Sequence, residues 1–242
     1  MSINSINKQQ IELGNIYIDL IYKDIKNVHL SVHPPTGRVR ISAPLKMDIE
    51  NIRIFAISKI GWIKKQQTKF LSQKRETSRE YITRESHYYL GKRYLLKVIE
   101  QGTPRKVILK HSTIELYVRK GSTIEQKQII LDRWYRQQLK KIVPGYIAEL
   151  EKKMNVKVAE YGIKKMKTKW GTCNANARRI WLNLELVKKP IECIEYILMH
   201  EMIHLIELNH NDQFIAYLNK FIPKWKHYKE ELNRSALGYV DW

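Results

Sequence analysis

The sequence predicts an α+β protein in which residues 1–120 form a β-rich N-terminal region with one helix, and residues 121–242 form a second domain around a histidine-bearing helix. Three observations predict it. Apolar and polar residues alternate in short runs through the first half, the period of half-buried strands. Beyond residue 121 the apolar residues recur mainly at helical spacing. Within that second half, the apolar run Tyr196 to Leu208 contains His200-Glu201-Met202-Ile203-His204.

In chain order, Ile16, Ile18 and Leu20, then Val28, Leu30 and Val32, then Val39, Ile41 and Ala43 predict three strands of a meander. Pro34-Pro35-Thr36-Gly37 is the turn between the last two. His29 and His33 fall on these strands without other ligand-type neighbours and read as surface or packing residues. Asp48 is placed to cap a helix running to about residue 75, with Ile52, Phe55, Ile60, Trp62 and Ile63 on its apolar side. Lys64, Lys65, Lys69, Lys74 and Arg75 make its far end basic.

A second set of strands is expected at residues 87–90, 94–100, 106–110 and 113–118, with a turn at Gly91-Lys92. Tyr81, Tyr88, Tyr89 and Tyr94 read as sheet-packing aromatics, with stacking on nucleic-acid bases the alternative. Gly121 breaks the pattern, and Ser122-Thr123-Ile124-Glu125 has the form of a capping box. The long helix that it opens carries Ile129, Trp134, Leu139, Ile142, Ile147 and Leu150, with Pro144 expected to kink it. No internal repeat is legible.

Strand character returns between Val156 and Val187. Lys169-Trp170-Gly171-Thr172-Cys173 and the alternation Ile180, Leu182, Leu184, Leu186 predict a β-hairpin directly before the histidine-bearing helix. Pro190 suits that helix's first turn, and Glu192 and Glu195 suit its positive end. Phe214, Tyr217, Leu218 and Phe221 mark one more amphipathic helix, and Trp225, Tyr228 and Leu232 another, which close the core under the site. His227, in a lysine-rich segment, reads as surface.

On a helix, residues four apart differ by about 40° around the axis, so His200 and His204 project from one face and can grip one metal ion. Glu201 lies off that face, within reach of a water on the metal, and the combination is a zinc-hydrolase signature. The third ligand depends on where the helix stops. If Asn209 ends it in a left-handed turn, His210 swings back to the pair, and Asn209, Asn211 and Asp212 together favour this reading. Were the helix to continue, Glu207 would occupy the metal face instead. With His210 as ligand, Glu207 becomes a residue that orients a ligand imidazole.

The chain of 242 residues has 43% hydrophobic and 28% charged residues. That is a globular composition, and no apolar run approaches the ~20 residues of a membrane span. The start lacks a basic segment followed by an apolar one, and the two cysteines, Cys173 and Cys193, are too few for a disulfide framework. A cytoplasmic protein is expected. The net charge of +20 is distributed along the whole chain and would attract polyanions, which makes nucleic acid a candidate partner through the basic surface. Compositional bias toward Lys and Ile is the competing explanation.

Lys169-Trp170-Gly171-Thr172-Cys173, Ile180-Trp181-Leu182-Asn183, Pro190, Tyr196 to Leu205, Asn209-His210 and Phe214 resemble the YgjP-like metallopeptidase family, related to SprT-like zincins. The N-terminal half shares the likeness through Gly37 to Pro44, Trp62-Ile63 and Tyr89 to Tyr94. The resemblance implies a zincin-like domain, His200, His204 and His210 as ligands of one Zn²⁺ per chain, Glu201 as catalytic carboxylate, and a protein or peptide substrate. Lys169 and Thr172 replace the family's usual Arg and Ser, and Asn211 its usual Ser. The expected activity is zinc-dependent peptide hydrolysis, with Lys169 or Asn183 assisting at the scissile carbonyl. A metal-dependent nucleotide (phosphoanhydride) hydrolase and a nucleic-acid-binding protein with a structural metal are the alternatives. No phosphate-binding loop favours the former, and the presence of Glu201 disfavours the latter.

Overall fold

The computed structural model describes residues 8–33, 36–72, 79–101, 105–166 and 169–234. Pro34, Pro35, Lys74 and Arg75, named above in a turn and a basic segment, lie outside them. The architecture is mixed α and β, with three sheets and six α-helices among the described residues. The chain divides into two compact units, Met1–Lys74 and Arg75–Trp242. The boundary expected near residue 120 thus falls some way earlier. The cause is the second set of strands: Leu96, Ile114, Leu116 and Val118 share one apolar core with Leu131, Trp134 and Tyr135 of the long helix.

The first unit contains β1 (Lys8–Leu13), β2 (Ile16–Lys23), β3 (His29–His33) and β4 (Arg38–Pro44) in the spatial order β1-β2-β4-β3. The expected meander is corrected here, because β2 pairs with β4 in parallel, Leu20 opposite Ile41, and β3 lies outside β4. The alternation still sets the faces: Ile18, Leu20, Val39, Ile41 and Ala43 form the core with Ile52, Ala56 and Ile63. Asp48 caps α1 (Ile49–Ser58) by accepting from the Glu50 N–H. The single helix expected to residue 75 is two, α1 and α2 (Ile60–Ser72). Ser58 donates its hydroxyl to the Phe55 carbonyl, and the Lys59 N–H turns back onto Ala56 and Ile57, which breaks the ladder.

The second unit opens with β5 (Ser86–Tyr89), β6 (Lys92–Glu100), β7 (Lys106–Leu109) and β8 (Thr113–Val118), ordered β5-β6-β8-β7 with β6 and β8 parallel. This repeats the topology of the first sheet, a repeat that the sequence had hidden. Leu90 (φ 47°) and Gly91 (φ 78°) form the two-residue turn between β5 and β6, both in the left-handed region that such a turn requires. Their N–H groups donate to the Val187 and Lys188 carbonyls, so the hairpin tip seats on the segment leading to the histidine helix. Tyr89 packs 5.2 Å from the Trp134 ring, the sheet-packing role expected of it.

Helix α3 (Ile124–Met154) follows, about 46 Å long at 1.5 Å per residue, and continues through Pro144. Its capping box is Thr123 with Gln126, one residue later than expected, and Asn155 (φ 52°) closes it in the left-handed conformation. Then come β9 (Glu160–Lys164), β10 (Gly171–Asn174) and β11 (Arg179–Asn183), in the order β10-β11-β9, which leaves β10 on an edge. The strand expected to run to Leu186 ends at Asn183, and Leu184–Lys188 is a 3₁₀ turn. The Asn183 carboxamide oxygen accepts from the Glu185 N–H, which pulls the chain out of the sheet and buries Leu184, Leu186 and Val187 together. Helices α4 (Ile191–Ile203), α5 (Asp212–Phe221) and α6 (Trp225–Arg234) complete the unit, with α4 packed against α3, α5, α6 and β10. No helix of the described residues is long and apolar enough to cross a membrane.

Candidate metal centre

The last turn of α4 carries His200 and Glu201, and His204 is its C-terminal cap. The helix therefore stops five residues before Asn209, which is not in the left-handed conformation expected of it. The N–H groups of Leu205 and Ile206 bond to the Met202 and Ile203 carbonyls, a tightened three-residue pattern that unwinds the end. Glu207 then orders the return in two ways. Its carbonyl oxygen lies 3.1 Å from His204 Nδ1, and its carboxylate accepts from the Asn209 N–H at 3.0 Å. Asn211 caps α5 through the Phe214 N–H, as the cluster of turn residues predicts.

The result brings the three predicted histidines together. One ring nitrogen of each of His200, His204 and His210 lies within 4.8 Å of the others, and the Nε2 atoms of His200 and His210 are 3.0 Å apart. Phe214, fully buried, lies beneath all three rings, with centroid separations of 5.0, 4.8 and 4.6 Å to His200, His204 and His210. Burial holds His200 down at about pKa 3, with the neighbouring His204 and His210 adding to the effect. Three imidazoles that present their nitrogens to one point above an apolar floor are a donor set suited to a transition-metal ion. The contact from His204 Nδ1 to the Glu207 carbonyl leaves Nε2 of that ring as the free ligand atom.

Glu201 faces the same cleft, only 5% exposed. Burial pushes its carboxyl up to about 8, against the opposing pull of Lys169. The cleft, about 480 Å³, is walled on one side by Trp170 to Cys173 and on the other by Tyr196, Ile197, Glu201 and the histidines. Gly171 of β10 is pressed against Glu201 so closely that a Cβ there would lie 2.7 Å from Oε1.

The roles of some contributors escaped the sequence reading. Asn183 is fully buried, and its side-chain amide donates to the Met166 and Lys169 carbonyls while its oxygen accepts from the Met166 N–H. It ties the segment before β10 in place, so its carboxamide is not open to the cleft as expected. Tyr196, one turn before His200 and 4% exposed, has no hydrogen-bond partner for its hydroxyl among the described residues. Glycine in a strand is the one sequence signal that marks close approach, and Gly171 carries it.

The family model for the YgjP-like metallopeptidase domain matches residues 26–235, with the histidine cluster inside the match. The chain belongs to the YgjP-like metallopeptidase family. No match is found among curated proteins. Among solved structures, the chain is similar to the zymogen of the metallopeptidase abylysin from Pyrococcus abyssi, with TM-score 0.35, 19% identity, and coverage of 37% of this chain and 90% of that one. It is also similar to the zymogen of jannalysin from Methanocaldococcus jannaschii, with TM-score 0.34, 22% identity, and coverage of 37% and 92%. Membership in this family makes the chain a metallopeptidase and suggests a protein or peptide as its substrate.

Proposed function

We propose that the protein is a zinc-dependent peptidase, with one Zn²⁺ held by His200, His204 and His210 and with Glu201 as general base. The observation that carries this reading is the convergence of three imidazoles beside a buried carboxylate, in a chain of a metallopeptidase family. When bound there, zinc supplies a Lewis acid that makes water nucleophilic near neutral pH and polarises a carbonyl. Glu201 takes the proton of the attacking water and passes it to the departing amine. Gly171 keeps the space in which that carboxylate can reach its water, and the bonds of Asn183 fix the position of Gly171's strand. The free edge of β10 accepts an extended peptide by strand addition, alongside the helix that carries Glu201.

The test compares casein and nucleoside triphosphates as substrates of the purified, zinc-loaded protein and of Glu201→Gln. Cleavage of casein alone, abolished in Glu201→Gln with zinc content and melting temperature retained, is the expected result. Turnover of the triphosphates alone, or peptide cleavage that survives in Glu201→Gln, would overturn the reading.

A further inference from the structure

A second cleft, about 520 Å³, adjoins the first along β10 and shares Thr172, Cys173, Ala175 and Leu208 with it. The register of the hairpin explains the pairing of the two. Gly171 and Cys173 stand opposite Leu182 and Ile180, both fully buried, on the face turned toward α4. Thr172 and Asn174 stand opposite Trp181 and Arg179, on the other face. A strand added to the edge of β10 must also alternate its side chains between the two faces. Successive residues of a bound peptide are thereby directed in turn to the metal cleft and to the outer cleft.

The chemistry of the outer cleft favours one kind of side chain. Trp181 lies flat over Gly162, where no Cβ obstructs it, and Leu208 is a 69% exposed apolar wall. Arg179 donates through Nε to Glu160 at 2.5 Å, and its two terminal amino groups have no protein partner among the described residues. Lys164 adds a second cation on this face, 4.6 Å above the Trp181 ring. Thr172, Asn174 and Asn176 supply further polar groups, and among the described residues no carboxylate lines the cleft.

We propose that the outer cleft is a specificity subsite for an acidic side chain, one residue removed along the substrate from a residue that enters the metal cleft, with the Arg179 guanidinium as its anchor. A guanidinium with two free N–H-bearing nitrogens is matched to a carboxylate. The inference rests on strand addition at β10.

The test uses peptides of one apolar sequence in which a single Glu, Gln or Lys is scanned through successive positions. Binding is measured by calorimetry on zinc-loaded Glu201→Gln protein, and cleavage on the wild type. At one position the Glu peptide should bind about fivefold to tenfold more tightly than the Lys peptide, a difference that shrinks at high salt. Arg179→Gln should remove the preference, and Arg179→Glu should invert it. Both replace a half-exposed side chain, and melting temperatures verify that the fold is retained. Peptides that bind without discrimination, or a preference unchanged in Arg179→Glu, would overturn the subsite while leaving strand addition intact. Peptides that neither bind nor are cleaved would overturn both.

Discussion

The missing side chain of Gly171 is what gives Glu201 its position: a Cβ at residue 171 would stand 2.7 Å from Oε1 and 2.8 Å from Cγ of that carboxylate. Gly171→Ala must therefore displace the carboxylate or push β10 away from α4. A displacement of about 1 Å in a reacting group costs on the order of a hundredfold in rate, so kcat/KM should fall by about that factor with metal content retained. Gly145→Ala in α3 is the control. Nothing lies within 4 Å of its Cβ position, and alanine there should raise stability by up to ~1 kcal/mol without touching activity. Unchanged turnover in Gly171→Ala would separate the close contact from the chemistry.

The third ligand is tested by opposing substitutions. His210→Ala should lose most bound zinc, measured by elemental analysis after competition with a chelator. Glu207→Ala should keep most of it, because the contact with His204 comes from the Glu207 backbone and only the Asn209 N–H loses its partner. Retention in His210→Ala with loss in Glu207→Ala would reverse the assignment.

Two buried groups give the metal-free protein opposite pH dependences. His200, near 3 in the fold against its ordinary 6.5, takes up a proton more readily when unfolded, so its contribution is full above 6.5 and is lost toward 3. Glu201, near 8 against its ordinary 4.5, holds a proton in the fold, so its contribution is full below 4.5 and is lost as pH rises through 8. The two slopes oppose one another between 4.5 and 6.5. Melting of chelator-treated protein should therefore show a plateau there and decline on both sides, by at most ~1.4 kcal/mol per pH unit per group. Glu201→Gln should flatten the alkaline side alone, and an unchanged alkaline decline in that variant would assign it to another group.

The formal charge of +20 predicts binding to DNA and RNA that weakens steeply with salt. Several phosphate contacts would cost on the order of a hundredfold in affinity between ~50 and ~200 mM salt. Undetectable binding at the lower salt would leave the charge as composition alone.

The elements most legible beforehand were those governed by short-range periodicity. Alternation placed β5 to β8 within a few residues, and the four-residue histidine spacing together with the Asn211 cap located the cluster. What escaped were properties of pairing and of side-chain competition. Alternation is the same for a meander and for a sheet with a parallel central pair, so β2 beside β4 could not be read from Leu20 and Ile41. Leu184 and Leu186 kept the strand period, yet the Asn183 carboxamide took the Glu185 N–H and ended the strand. The role of Asn183 toward Lys169 depends on a fold that brings residues 14 apart within 2.8 Å, which no local pattern encodes.

The parallel pairs at the centre of the two four-stranded sheets also bear on the order in which the molecule is made. Each such pair closes only after its outer strand has been laid down beyond it, so each is a non-local folding event within its own unit. During synthesis the first unit has its whole sheet, and the apolar faces that Ile18, Leu20 and Ile41 give it, well before His200 is added. The histidines and Phe214 come from α4, α5 and the loop joining them, which follow all three sheets in chain order. A growing chain thus lacks the histidine cluster until the sheets of its own unit have been made, and any fragment truncated before His210 lacks it altogether.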